Sequence, residues 1–306
     1  EAVEAGARVL LERGLRPEGG TRHLLAPSGE PADERRDLYD TAFVLFALAE
    51  AAQALGNRPD LIEAAETLLR WTEDNWSHES GGFYEGEIVT TPPRRQNPHM
   101  HMFEALLALH EATGKREHLG GASSIADLFR IKLFDARHGS LGEYYNDEWY
   151  PLEGEDGEIV EPGHHFEWSW LLHRWNSFGG GDLSAIAEKL RIHAEIYGVH
   201  PQTRAVYDEV FADGRPRTTS SRLWPHTERI KANVVRFERT RDPNAAQAAL
   251  QAFDVLMRYC ETPTKGLWRD SLEPDGRFIE EAAPASSFYH VMFAMWELIR
   301  VADALD

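Results

Sequence analysis

Asn97-Pro-His-Met-His101 and Glu161-Pro-Gly-His-His165 decide how this chain is read. Each sets a proline where a helix begins, a place that tolerates it because the first helical N–H groups have no partner inside the helix. Each also puts histidine into the first turn. The pattern returns as Trp224-Pro-His226 and, without proline, as Ser287-Phe-Tyr-His290. The spacing is regular: 61 residues from Asp40 to His101, then 63 to His164, 62 to His226 and 64 to His290. Self-similarity at a fixed period marks a repeat architecture, here with a unit long enough for a helical hairpin.

Apolar residues recur at helical spacing over 39–55, 61–76, 102–113, 125–134, 166–175, 186–197, 230–237, 246–259 and 288–305. Helices that open at the landmarks are apolar around much of their girth, as in Ala42-Phe-Val-Leu-Phe-Ala-Leu-Ala49, whereas those between are amphipathic, as in Leu61-Ile-Glu-Ala-Ala-Glu-Thr-Leu-Leu-Arg70. A helix apolar all round must be enclosed, and an amphipathic one covers it. Short Gly-aromatic patches separate them, among them Gly81-Gly-Phe-Tyr-Glu85, Gly139-Ser-Leu-Gly-Glu-Tyr-Tyr145 and Ala205-Val-Tyr-Asp-Glu209, and these read as β-ribbons. The expected fold is all-α: an (α/α) toroid of about five helical hairpins with short β-ribbons, in which residues one period apart converge on a central pocket. The 306 residues show no shift in composition that marks a linker, so 1–306 is expected to be a single domain.

An apolar fraction of 42% with 27% charged residues fits an ordinary globular protein. The longest apolar stretch, Ala42–Ala49, is far short of the roughly 20 residues a membrane span needs, and the acidic Glu1-Ala-Val-Glu4 is no signal peptide. A net charge of −19 disfavours nucleic acid and anionic membrane as partners. Cys260 is alone, so no internal disulfide forms, and a soluble cytoplasmic protein is expected, as monomer or homodimer.

The landmarks gather His99, His101, His164, His165, Glu167, His226, Glu228 and His290 at one end of the enclosed helices. Histidine titrates nearest neutrality, so two of them can act as base and acid in one turnover. His23 and the other histidines fall off the period and read as caps or surface groups. A metal site is disfavoured, since His99 and His101 are two apart and point to different sides of a helix, and no HExxH occurs. Asp40, Glu167, Asp208 and Asp270 keep an inverting glycosidase open as a rival, and a non-catalytic sugar-binding toroid is a second.

Arg94-Arg-Gln-Asn-Pro-His-Met-His-Met-Phe-Glu-Ala105, Glu161-Pro-Gly-His-His-Phe-Glu-Trp-Ser-Trp-Leu-Leu172, Arg222-Leu-Trp-Pro-His-Thr-Glu228, Ser287-Phe-Tyr-His290 and, more weakly, Asp37-Leu-Tyr-Asp-Thr-Ala-Phe43 resemble the N-acylglucosamine 2-epimerase family, through essentially the whole chain. The resemblance implies an (α/α)6 barrel and aldose–ketose isomerisation or 2-epimerisation of a sugar through a cis-enediol(ate), with no cofactor and no metal. It implies that His164 and His290 are the acid–base pair, that Glu167 orients His164, and that His101 contacts the sugar. Trp168, Trp224, His226 and Glu228 fall at pocket-lining positions, and Asn97, Tyr39 and Asp40, within the quoted motifs, join them as substrate-binding candidates. Two departures stand out. The family's first hairpin, which carries an arginine for the enediolate oxygen, has no counterpart: where Asp40-Thr-Ala-Phe43 aligns with that motif, Phe43 stands in the arginine's place. His226 stands where glutamine is expected. The wording around His99 is nearest to mannose isomerases, so conversion of free mannose to fructose is expected, with 2-epimerisation as the alternative.

Overall fold

The computed structural model describes residues 1–90 and 92–303. They form two compact units, Glu1–Phe134 with Tyr144–Leu152, and Asp135–Glu143 with Glu153–Asp306.

The first unit holds α1 (Ala2–Val9), which runs on through a π-helical turn at Leu10–Gly14, then α2 (Leu38–Ala54), α3 (Pro59–Trp76), α4 (Asn97–Thr113) and α5 (Arg116–Leu128). α2 packs on α3 and α4, and α4 on α5. The second unit holds α6 (Pro162–Ser177), α7 (Ser184–Tyr197), α8 (Trp224–Thr240), α9 (Pro243–Cys260) and α10 (Ser287–Asp303). α6 packs on α7 and α8, and α8 on α9 and α10. The helix starting at Ala2 escaped the periodicity, and Ala304 and Leu305, the expected end of the last helix, lie outside the described residues.

Two kinds of helix alternate, as the hydrophobic pattern predicts. α4 buries every residue from Pro98 to Leu109 and α6 every residue from Pro162 to His173. α3 buries one stripe, Leu61, Ala65, Leu68, Leu69, Thr72 and Trp76, at the spacing of a single helical face. α8 departs furthest from an apolar inner helix, because Glu228, Arg229, Lys231 and Asn233 are buried along it. They are tolerated because they are paired: Arg229 and Asn233 both bond Glu195 of α7, and Lys231 pairs with Glu228. Prolines open α3, α4, α6, α8 and α9, and Asp37 caps α2 by accepting from the N–H groups of Tyr39 and Asp40.

The expected ribbons are present. Arg94–Arg95 pairs antiparallel with Tyr144–Tyr145 in the first unit; Ile159–Val160, Glu209–Phe211 and Pro216–Thr218 form a three-stranded sheet in the second, beside Ser221–Arg222 paired with Ser271–Leu272.

Two side-chain ties recur where a ribbon feeds an inner helix. In the first, a buried histidine of the helix's opening turn accepts a hydrogen bond from a ribbon N–H: Phe83 to His99 Nε2 at 3.0 Å, Leu141 to His165 Nε2 at 2.9 Å, and Val206 to His226 Nε2 at 3.1 Å. Gly82, at φ 69°, makes room for this, since a Cβ there would lie 2.7 Å from the His99 ring. In the second, the acid two residues further along the ribbon accepts from the N–H of the residue leading into the helix: Glu85 from Arg95, Glu143 from Glu161, and Asp208 from Arg222. Arg95 and Arg222 add a guanidinium bond to the same acid. Glu161 has no guanidinium to give, and this difference shapes the site.

Candidate active site

In the second unit, α6 begins at Pro162 and presents His164 in its first turn. At Glu143 the position held by Arg95 and Arg222 in the other ribbons is held by Glu161, and the Glu143 carboxylate meets His164, with both oxygens 3.0 Å from Nδ1. Glu143 is held by its own N–H to Ile159 O and by the N–H of Glu161. Glu161 reaches Arg222 at 2.7 Å, and Arg222 is clamped by Asp208. His164 is 5% exposed. Burial opposes its charged form, but the Glu143 and Glu161 carboxylates outweigh burial and raise its pKa above the ordinary 6.5.

Trp224, the first residue of α8, lies against two histidines: its ring is 5.0 Å from that of His164 and 5.4 Å from that of His290. Gly163 permits this, because a Cβ at that position would sit 2.4 Å from the indole. His290 repeats the arrangement of His164, with Nδ1 2.7 Å from Glu228 Oε1. Glu228 is wholly buried; burial works against its charge, yet the Lys231 ammonium at 2.6 Å and His290 bring its pKa below the usual glutamate range. Among the described residues neither His164 nor His290 has a hydrogen-bond partner at Nε2. Two imidazoles, each with Nδ1 on a buried carboxylate and Nε2 open, touch one indole. Such rings can take up or release a proton at Nε2.

The sequence reading gave Glu167 the task of orienting His164. In the structure His164 Nδ1 is bonded by Glu143, 21 residues upstream, and Glu167 lies buried with a carboxylate oxygen within 4.8 Å of donor atoms of Glu228 and His290. His226 was expected to bind substrate. It is wholly buried, Nδ1 donates to Leu223 O and Nε2 accepts from Val206, so neither nitrogen is left for a sugar, and burial drives its pKa down to about 3. His99 is committed in the same way, its pKa also pushed by burial to about 3. Trp168 and Glu228, read as lining the pocket, have no accessible surface, and Glu228 acts on its surroundings through His290. Trp224 is partly exposed.

The first unit carries the remaining candidates. His101, nearly buried, has Nδ1 3.3 Å from Glu104 Oε2, with the rings of Tyr39 and Phe43 at 5.1 and 4.5 Å. Asp40 is bound by His23, a histidine off the period, at 2.6 Å; burial nonetheless raises the Asp40 pKa. Asn97 is half-buried, and its Oδ1 has no hydrogen-bond partner among the described residues.

Glu143, Glu161 and His164 have donor atoms within 4.8 Å of one another, as do Glu167, Glu228 and His290. In each grouping the histidine is bonded to a carboxylate and a carboxylate is paired with Arg222 or Lys231, so the donors are largely engaged inside the protein rather than arranged as a metal centre. Glu143, Glu161, Arg222 and Lys231 escaped the sequence reading. The signal for Glu143 was present in the ribbons, each of which carries an acid two residues beyond its histidine-bonded N–H, and Glu161 and Arg222 stand where each ribbon leads into its helix.

The sequence profile of the N-acylglucosamine 2-epimerase (GlcNAc 2-epimerase) family matches residues 1–294. The chain is 38% identical to a mannose-6-phosphate isomerase of Rhizobium meliloti, over 96% of this chain and 78% of that one. It is 28% identical to a D-mannose isomerase of Thermobifida fusca, over 88% and 72%. Its fold matches that of a cellobiose 2-epimerase from Bacillus thermoamylovorans with a TM-score of 0.86, at 22% identity, covering 96% of this chain and 79% of the other. The expected hairpin fold class is therefore the fold the chain has. With a family match spanning nearly its whole length and carboxylate-anchored histidines at the landmark positions, the chain belongs to the N-acylglucosamine 2-epimerase family and is a sugar isomerase or 2-epimerase.

Proposed function

We propose that the chain interconverts mannose and fructose, with His164 and His290 carrying the protons. The observation that carries this reading is the pair of imidazoles on either ring contact of Trp224, each anchored at Nδ1 by a buried glutamate. Nε2 of one histidine removes the C2 proton of the open-chain aldose as O1 gains a proton, giving a cis-enediol. Return of a proton to C1, with loss of the O2 proton, completes the ketose. Return of the proton to the opposite face of C2 would instead give the epimer. Glu143 and Glu228 keep each Nδ1 protonated, so that the proton is taken up and given back at Nε2.

Relatives named for mannose 6-phosphate and for free mannose support mannose chemistry. The charges at the histidine pair favour the uncharged sugar. Glu143, Glu161, Glu167 and Glu228 line this cluster, and its cations, Arg222 and Lys231, are already held by carboxylates. An incoming phosphate would meet net negative potential. The test is a comparison of kcat/KM for mannose, mannose 6-phosphate, N-acetylglucosamine and cellobiose. The expected result is fructose from mannose with the highest kcat/KM; preference for the phosphorylated sugar, or an epimer as the only product, would overturn it. His290→Asn should abolish turnover with helical content intact, and retained activity would remove His290 from the mechanism.

A further inference from the structure

Lys231 is the least expected side chain of the second unit. A lysine with no exposure ordinarily gives up its proton, because burial penalises the ammonium. Here Nζ lies 2.6 Å from Glu228 Oε2, one helical turn back on α8. Ring faces also lie around it: Trp170 of α6 at 4.0 Å, and Tyr289 and Phe293 of α10 at 5.6 and 6.0 Å. Aromatic faces stabilise a desolvated cation, most strongly in tryptophan. Trp170 is itself fixed, with Nε1 donating to Glu297 at 2.8 Å. The other oxygen of Glu228 holds His290.

We propose that Lys231 is a positioning residue for proton transfer: its ammonium fixes the Glu228 carboxylate and keeps it ionised, and Glu228 in turn holds His290 with Nδ1–H inward and Nε2 open. This rests on the mannose–fructose reading for its catalytic consequence, although the electrostatic link stands apart from it.

The charged and titratable groups that face this trio make a cation necessary. From α6 comes Glu167, whose carboxylate lies within 4.8 Å of Glu228 and His290 donor atoms. From α10 come His290, Tyr289 and, behind Trp170, Glu297, which is itself paired with Arg300. Of the other charges of α8, Arg229 and Arg236 are turned to Glu195 and Glu188 of α7, Glu238 is bonded by Arg300, and Arg239 donates to Ser184. Two glutamates this close and this buried favour protonation of one of them, and a neutral Glu228 would donate to His290 rather than accept from it. The imidazole would then carry its proton on Nε2 and could not act as base. Lys231 prevents that by pairing with Oε2, the oxygen of Glu228 that His290 does not use.

Lys231→Met keeps the length and apolar packing and removes the charge. The test follows the carboxyl carbon resonance of Glu228 against pH by 13C NMR, assigned by its loss in Glu228→Gln, and measures the pH profile of mannose turnover in parallel. In Lys231→Met the protonation midpoint of Glu228 should rise by about one to three pH units. The acid limb of kcat/KM should move up with it, and kcat should fall by roughly tenfold or more with KM little changed. Lys231→Arg, which keeps a charge, should restore much of both. If Lys231→Met fails to fold, Lys231→Gln carries the same comparison. An unmoved Glu228 midpoint overturns the proposal, as does a lowered kcat with an unmoved acid limb, which would mark a packing role. If Glu228 shifts as expected but neither variant nor parent converts mannose, the electrostatic link stands and the substrate reading fails.

Discussion

Replacing Glu143 by Gln separates the anchored histidine from an ordinary buried one. The carboxylate holds His164 Nδ1 with both oxygens at 3.0 Å, and together with Glu161 it lifts the ring's pKa against the opposing effect of burial. In Glu143→Gln the burial remains and the nearer charge is gone, so the His164 midpoint should drop below the ordinary 6.5. A glutamine NH2 can also donate to Nδ1, which places the imidazole proton on Nε2 and removes the base. Loss of a positioned acid–base group costs about 10²–10⁴ in rate, or roughly 3–5 kcal/mol of transition-state stabilisation. The assay is kcat/KM for mannose against pH, with circular dichroism to confirm folding. A second readout comes from stability. Because the folded-state pKa of His164 is raised, its contribution is fully present below pH 6.5 and fades as pH rises through the raised value. The variant's stability deficit should thus be larger in mildly acidic than in mildly alkaline buffer. Wild-type turnover with an unmoved pH profile would refute the assignment of Glu143 to His164.

His226→Leu should lower stability by roughly 2–4 kcal/mol, because it strands the Val206 N–H and removes the bond to Leu223 O, while kcat of the folded fraction stays unchanged; thermal melts and active-enzyme kinetics check both halves. Gly163→Ala forces a Cβ to 2.4 Å from Trp224 and should cost about 1–3 kcal/mol while displacing the indole from His164 and His290, seen as a Tm loss together with reduced kcat/KM.

Much of this was legible in the sequence, and the failures have physical causes. The spacing of Asp40, His101, His164, His226 and His290 predicted the hairpin repeat, and apolar girth separated α4 and α6 from α3. Periodicity alone could not tell His164 from His165 or His226: all are buried landmark histidines, and the distinction lies in which ring faces a ribbon N–H. Glu167 was paired with His164 because helical spacing puts residues three apart on one face. Glu143 does so instead because Glu161 replaces the arginine that occupies the matching acid in the neighbouring repeats, and that substitution becomes visible only when the ribbons are laid over one another. Lys231 was invisible because a charged residue on an inner helix contradicts the pattern that identifies such helices; its partners, Glu228 and the Trp170 face, come from a neighbouring turn and another helix.

We propose that this chain moves a proton between C2 and C1 of a free sugar by way of His164 and His290. Incubating the protein with mannose in deuterated water and following the sugars by NMR tests it most directly. Fructose is expected, with deuterium entering at C1 or C2 and its entry abolished in His290→Asn. No ketose and no deuterium at either carbon would contradict it.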